Sequence, residues 1–339
     1  MARLVLATFA VLAITVALSA CGGPSAAPEA SSAAAGARAG RPPSAAPAVS
    51  FPSASGRTLA DLRADAPVGL VLAPSVSVLQ QGGNRFGFAL FDAARRQVAE
   101  APVALYVSRG DGSGLRGPYT AHSESLAVRP QFRSATTAND AAAAKSVYVA
   151  DLSFPKPGRY RVTALIRLDG RDVSTEALTV VVTQPEDPRL PPSVGQLAPK
   201  VSTPTLTDVA GDAARISTRV PVAPELLKTD LADVYGRKPV ALLFATPALC
   251  QSRVCGPVVD ILEQVRAEQT SGDVAFITTE IYRQNRVDMG LRSQPAAYRI
   301  PTEPWLFLLD RDGRVAERLE GAFSAHELRS ALARLRAQG

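Results

Sequence analysis

Residues able to do chemistry are few in this chain. Three cysteines (Cys21, Cys250, Cys255) and two histidines (His122, His326) stand among 339 residues. Cys250 and Cys255 form a Cys-x4-Cys pair, the one place where an attacking sulfur and a resolving sulfur can meet. A thiolate attacks a substrate disulfide, and a second thiol close by resolves the mixed disulfide. Arg253 lies between the two and adds positive charge that favours a thiolate. The histidines are isolated. No His/Cys/Asp cluster with zinc or copper spacing can be assembled, and a Ser/His/Asp hydrolase would have to recruit one of two lone imidazoles. No metal and no cofactor is expected.

The third cysteine belongs to a different chemistry. Arg3 precedes an uncharged apolar run from Leu4 to Ala20, a charged n-region followed by an h-region. The run ends Leu18-Ser19-Ala20-Cys21, which resembles a bacterial lipobox. The resemblance implies that residues 1–20 are removed and that Cys21 is the lipid-modified first residue of an extracytoplasmic protein anchored on the outer face of the cell membrane. The alternative is an uncleaved membrane helix, for which a run of 17 residues is slightly short. The partners expected are the membrane, through the lipid, and the thiols or disulfides of exported proteins. Nucleic acid is not expected. The net charge is +6, but the 37 basic residues are nearly all Arg and scattered rather than clustered. Oligomeric state is not readable.

The elements that must position the pair follow from the pattern. With 46% apolar residues the chain can bury a sizeable core. Residues 21–58 are Ala/Pro/Ser-rich and read as a flexible tether. Residues 59–185 carry short alternating strands: Val68–Leu72, Val76–Leu79, Phe86–Phe91, Val103–Val107, Val147–Leu152, Tyr160–Leu168 and Ala177–Val182. Turn signals such as Gly82-Gly83-Asn84 and Asp169-Gly170 punctuate them, and a β-sandwich is expected. Gly110 to Lys145 reads as a long insertion. Residues 186–199, with four prolines, read as a linker. In residues 200–339 the pattern alternates strand and helix. Val240–Ala245 and Val274–Thr278 are apolar runs suited to buried strands, and Val258–Glu268 has helical spacing. Trp305–Leu309 and Val315–Leu319 flank the turn Asp310-Arg311-Asp312-Gly313. Ser324 with Glu327 makes a capping box for a last helix.

Two resemblances attach to these residues. Phe154-Pro155-Lys156-Pro157-Gly158-Arg159-Tyr160 resembles the strand entry of bacterial immunoglobulin-like domains. Phe244-Ala245-Thr246-Pro247-Ala248-Leu249-Cys250, the spacing from Tyr298 to Pro304, and Pro304-Trp305-Leu306-Phe307-Leu308-Leu309-Asp310 resemble the thioredoxin-like extracytoplasmic thiol-disulfide oxidoreductases. The expected fold class is therefore a multidomain chain: an all-β immunoglobulin-like sandwich followed by an α/β thioredoxin-like domain. The resemblance implies Cys250 as nucleophile, Cys255 as resolving thiol and a cis Pro304 beside them, with Arg253, Glu303 and Trp305 in support.

The sequence departs from that family twice. Residues five apart on a regular helix diverge by about 140°, so bridging requires the segment to unwind or the helix to begin after Cys250; Gly256-Pro257 favours the latter. The family's buried acid is missing from Ala241-Leu242-Leu243, leaving Glu303 and Glu280 as replacements, though either also reads as an ordinary loop carboxylate. Two alternatives stay open: a structural Cys250–Cys255 disulfide in a non-catalytic binding lipoprotein, and a peroxiredoxin-like peroxidase, which Thr246-Pro247-Ala248-Leu249-Cys250 approaches with one residue too many. Gly112-Ser113-Gly114-Leu115-Arg116-Gly117 reads as a loop rather than a dinucleotide site. His122 and His326 read as solvent-facing, and Arg283, Arg286, Arg292 and Arg299 as a basic surface before Pro304.

Overall fold

The computed structural model describes residues 49–338; the expected signal peptide, Cys21 and most of the expected tether lie outside them. Ten strands make one sheet: β1 Val68–Pro74, β2 Leu79–Gln80, β3 Gly82–Phe91, β4 Gln97–Val98, β5 Val103–Arg109, β6 Arg116–Ser125, β7 Ser146–Phe154, β8 Gly158–Leu168, β9 Arg171–Thr175 and β10 Leu178–Thr183. Pairing runs β8-β5-β6-β7-β3-β1-β9, and β9 pairs back onto β8. The seven strands thus close into a barrel, and the expected immunoglobulin-like sandwich is corrected. The reason is local. β9 is the strand that closes the ring, and Arg-Asp-Val-Ser-Thr carries too little apolar alternation to be read as a strand. β6 was likewise hidden in the polar insertion.

Period-two alternation sets both surfaces of the barrel wall. Phe86, Phe88, Leu90, Val103, Leu105, Val107, Tyr148, Ala150, Leu152, Phe154, Val162, Ala164 and Ile166 fill the interior. Ala104, Tyr106 and Leu165 point outward and are covered by Phe51, Ala54 and Leu62 of the N-terminal segment. The Tyr106 hydroxyl donates to the Pro52 carbonyl at 2.6 Å. Residues 49–58, read as tether, are thus packed on the barrel. They lead into α1, Leu59–Arg63, which opens with a Thr58/Asp61 capping box.

The C-terminal residues form a four-stranded sheet in the order β12-β11-β13-β14, with β11 Val240–Phe244, β12 Ala275–Thr279, β13 Trp305–Leu309 and β14 Val315–Glu320. β11 runs parallel to β12 and antiparallel to β13. Among the described residues only two helices exceed five residues: α4, Cys255–Glu268, and α6, Ala325–Ala337. The others are α1, α2 (Ala135–Ala138), α3 (Leu231–Val234) and α5 (Ser293–Ala297). Where the thioredoxin-like order of elements places a helix between the central strand and the hairpin, the chain forms only 3-10 turns and α5. Gly290, Pro295 and the left-handed Gln284, Asn285 and Arg299 interrupt any longer helix there. The chain is mostly β, and the thioredoxin-like α/β assignment is corrected accordingly. Local readings fare better: β13 and β14 pair as a hairpin across Asp310–Gly313, and the Ser324/Glu327 capping box opens α6.

Both faces of this sheet are buried, as expected for strands without polar alternation. Ala241, Leu243, Leu306 and Leu308 face α4 and α6, where Val258, Ile261, Leu262, Leu328 and Leu332 pack. Val240, Leu242, Phe244, Trp305, Phe307 and Leu309 face Ile281, Tyr298 and Ile300 in a second cluster. The outward side chains of β7, Val147 and Val149, and Leu126 join the first cluster, so the barrel wall docks directly on the helical layer. Arg85 makes a bidentate pair with Glu327 (2.6 and 3.0 Å) and donates to the Ala322 carbonyl at 2.7 Å. The Glu320 carboxylate accepts from the backbone of Ser77 (2.7 Å) and Val78 (2.9 Å). The linker is docked too, with Arg318 donating to the carbonyls of Pro191 and Pro192. No helix among the described residues is long and apolar enough to cross a membrane.

Candidate active site around the Cys250–Cys255 bridge

β11 ends at Phe244, and residues 245–254 turn back before α4 begins. Cys255 is the first residue of that helix and Cys250 lies in the turn ahead of it. The helix therefore starts after Cys250, which is what Gly256-Pro257 favours, and the divergence of a regular helix is avoided. The two sulfurs are joined in a disulfide, with Cα atoms 5.9 Å apart, within the usual span for a bridge. Cys250 is 4% exposed and Cys255 fully buried, but Gln251, Ser252 and Arg253 above them are exposed. The Ser252 hydroxyl lies 3.2 Å from Cys250 Sγ. Val254, the cap position, offers no side-chain acceptor to the first turn. Cys255 thus stands in the first turn of the 14-residue α4, at its positive end.

Glu303 reaches the pair from the loop before β13, its Oε2 3.6 Å from Cys255 Sγ. The Thr246 backbone N–H donates to the same oxygen at 2.7 Å. Burial pushes the Glu303 carboxyl up to about 7, against the opposing hydrogen bonds from Thr246. The Glu303–Pro304 peptide is cis, and the Pro304 carbonyl accepts from the Gly321 N–H at 2.9 Å. Glu280, at the end of β12, lies one threonine away. Its Oε1 accepts from the Thr218 N–H (2.5 Å) and hydroxyl (3.0 Å), while Oε2 has no partner. Desolvation lifts it to about 7, with the Glu303 charge adding to the rise. The Thr246 hydroxyl lies against both carboxyls and accepts from the Ile281 N–H at 3.0 Å.

Not every expected residue converges. Arg253 adopts a left-handed conformation (φ +60°) and sends its guanidinium to Asp140, 3.4 Å away, where its charge is answered. Trp305 packs on the opposite sheet face from the sulfurs, its indole N–H 3.2 Å from the Thr302 hydroxyl and its ring beneath Arg318. The arginines before Pro304 are engaged by nearby backbone: Arg292 donates to the carbonyls of Tyr282 and Arg215, and Arg283 to that of Met289. His326 sits half-buried in the first turn of α6. His122 lies on β6, 3.4 Å from the buried Glu124, which holds the imidazole's pKa above its usual value.

Sequence reasoning missed how the insertion holds the site. Residues 126–145 lie along α4. Asp260 on α4 accepts from the Ser134 N–H (3.1 Å) and pairs with Arg219 Nε (2.9 Å), both side chains nearly sealed from solvent. The Ala144 N–H donates to the Arg253 carbonyl at 3.1 Å, tying the insertion to the bridge loop. The signal was an Asp amid the apolar spacing of α4, which an ordinary helix would leave at the surface.

No protein-family model matches this chain, and no curated protein matches it. The resemblance to thioredoxin-like oxidoreductases thus rests on no family match, and the mostly-β architecture speaks against it.

Proposed function

We propose that the Cys250–Cys255 bridge is a redox-active disulfide that exchanges with thiols and disulfides of exported proteins. The observation that carries this reading is the carboxylate oxygen of Glu303 lying 3.6 Å from Cys255 Sγ. A bridge that served only as a staple has no use for a buried acid against one sulfur, and burying one is costly. In the reduced form the Cys250 thiolate attacks a substrate disulfide, forming a mixed disulfide and releasing one substrate thiolate. Cys255 then attacks the Cys250 sulfur, its thiol proton passing to Glu303, and the second substrate thiolate leaves as the bridge closes. Cys250 takes the first role because it is the less buried sulfur and lies under an exposed three-residue loop. The lipobox resemblance at Cys21 supports placing this chemistry on the outer face of the membrane, a compartment in which disulfides persist.

The test is turnover of a model disulfide by the purified chain with a dithiol donor. Parent activity that falls at least about 100-fold in both Cys250→Ser and Cys255→Ser supports exchange. A bridge that resists mild reductant in the folded protein, with no turnover, leaves only a structural disulfide. Peroxide consumption lost in Cys250→Ser but kept in Cys255→Ser would instead indicate a peroxidase.

A further inference from the structure

We propose that, once reduced, Cys250, Cys255 and Glu303 form a three-ligand site for one zinc ion. Sequence spacing shows no metal set because the third ligand lies 48 residues beyond Cys255; the fold supplies it. The two Sγ atoms and a Glu303 carboxylate oxygen all lie within 4.8 Å of one another. A zinc tetrahedron with Zn–S of about 2.3 Å and Zn–O of about 2.1 Å has an S···O edge of about 3.6 Å. The Cys255 Sγ–Glu303 Oε2 distance is already 3.6 Å. The S···S edge of the same tetrahedron is about 3.8 Å, so the sulfurs must part on reduction. Their Cα atoms stand 5.9 Å apart, and the exposed residues 251–253 of the intervening loop leave room for Cys250 to rotate outward.

The surroundings suit a metal. The Thr246 N–H at 2.7 Å orients the Glu303 carboxylate from behind, as outer hydrogen bonds orient ligands in metal sites. The nearest basic side chain of the bridge loop, Arg253, is engaged by Asp140. Two thiolates and one carboxylate leave a fourth zinc position for water or an incoming thiolate. The reaction balances in two steps. A dithiol reductant delivers two electrons and two protons to the S–S bond and is itself oxidised to a disulfide. Zn2+ then displaces the two thiol protons to solvent as the two Zn–S bonds form. Bridge and metal exclude each other, so oxidation of the pair expels the ion.

This inference shares with the exchange reading a reducible bridge and the Glu303–Cys255 contact, and its test separates the two. It is tested on the full chain carrying Cys21→Ser, reduced until two thiols titrate, then competed for Zn2+ against a chromophoric chelator, with Co2+ as a spectroscopic probe. One zinc per chain is expected, with thiolate-to-cobalt charge-transfer and tetrahedral ligand-field bands. Cys250→Ser or Cys255→Ser should abolish stoichiometric binding. Glu303→Gln, which keeps the acceptor for Thr246, should weaken it at least about tenfold while the reduced apo-protein unfolds no earlier than the parent. Two free thiols without zinc uptake, or Glu303→Gln within twofold of the parent, would overturn the site while leaving exchange standing. Stoichiometric zinc without disulfide turnover would uphold the site and remove exchange. A bridge that cannot be reduced in the folded chain removes both.

Discussion

Glu280 is 3% exposed, has one oxygen without a partner, and faces the Glu303 carboxyl, the Thr218 and Thr246 hydroxyls and the Arg292 guanidinium. Its ordinary value of 4.5 rises to about 7 because ionising it removes a charge from water with too few donors to replace the loss. The folded state therefore binds this proton more tightly than the unfolded chain. The stability it lends is complete below about pH 4.5 and is lost as pH rises through about 7. A rise of this size corresponds to about 3 kcal/mol. Glu280→Gln keeps an oxygen for Thr218 and cannot ionise. The variant should gain about 3 kcal/mol on the parent between pH 4.5 and pH 8 in urea unfolding. A gap that stays constant with pH would show that Glu280 is ionised throughout.

At the scale of elements, α4 is held by more than its apolar face. Its Cys255 end carries the bridge, and one turn later Asp260 ties it to the 126–145 segment and to Arg219, which also donates to the Phe132 carbonyl at 2.8 Å. Removing one partner of a sealed ion pair strands the other charge, at a cost of about 3–5 kcal/mol. Asp260→Ala should destabilise the chain by that amount. It should also loosen the bridge loop, seen as faster reduction of the Cys250–Cys255 disulfide by a fixed concentration of dithiol. A loss below about 1 kcal/mol would mean that Arg219 finds solvent. β14 couples the barrel to the same site. A Cβ at Gly321 (φ +75°) would stand 1.8 Å from the Ser75 carbonyl, and the Gly321 N–H holds the Pro304 carbonyl, so the close approach of β1's end and the cis-proline loop depends on this glycine.

For the whole molecule, the barrel and the four-stranded sheet share a core, through Val147, Val149 and Leu126, and a polar seam through Arg85–Glu327 and Glu320. The sheet that carries the bridge is thus packed against the barrel wall as well as joined to it by the chain. If Cys21 is acylated as its setting implies, each buried methylene contributes about 0.8 kcal/mol, and two or more chains anchor stably. Cys21→Ser should move the chain from the membrane to the soluble fraction on cell fractionation. Retention in the membrane would point to an uncleaved N-terminal span.

Sequence by itself determined the strands with strong apolar alternation, the buried β11 and β12, the Ser324 cap, the Asp310–Gly313 hairpin and the pairing of the only two cysteines close in the chain. These are local: propensity, period and turn chemistry act within a few residues. Tertiary structure alone decided the closed barrel, because a polar strand, β9, supplies the closure and alternation reads the same in a sandwich and a barrel. It alone decided that the stretch before Pro304 is irregular, that Arg253 turns to Asp140, and that Glu303 meets Cys255 across 48 residues. Contacts between residues so far apart are chosen by which surfaces pack, and no spacing along the chain records that choice.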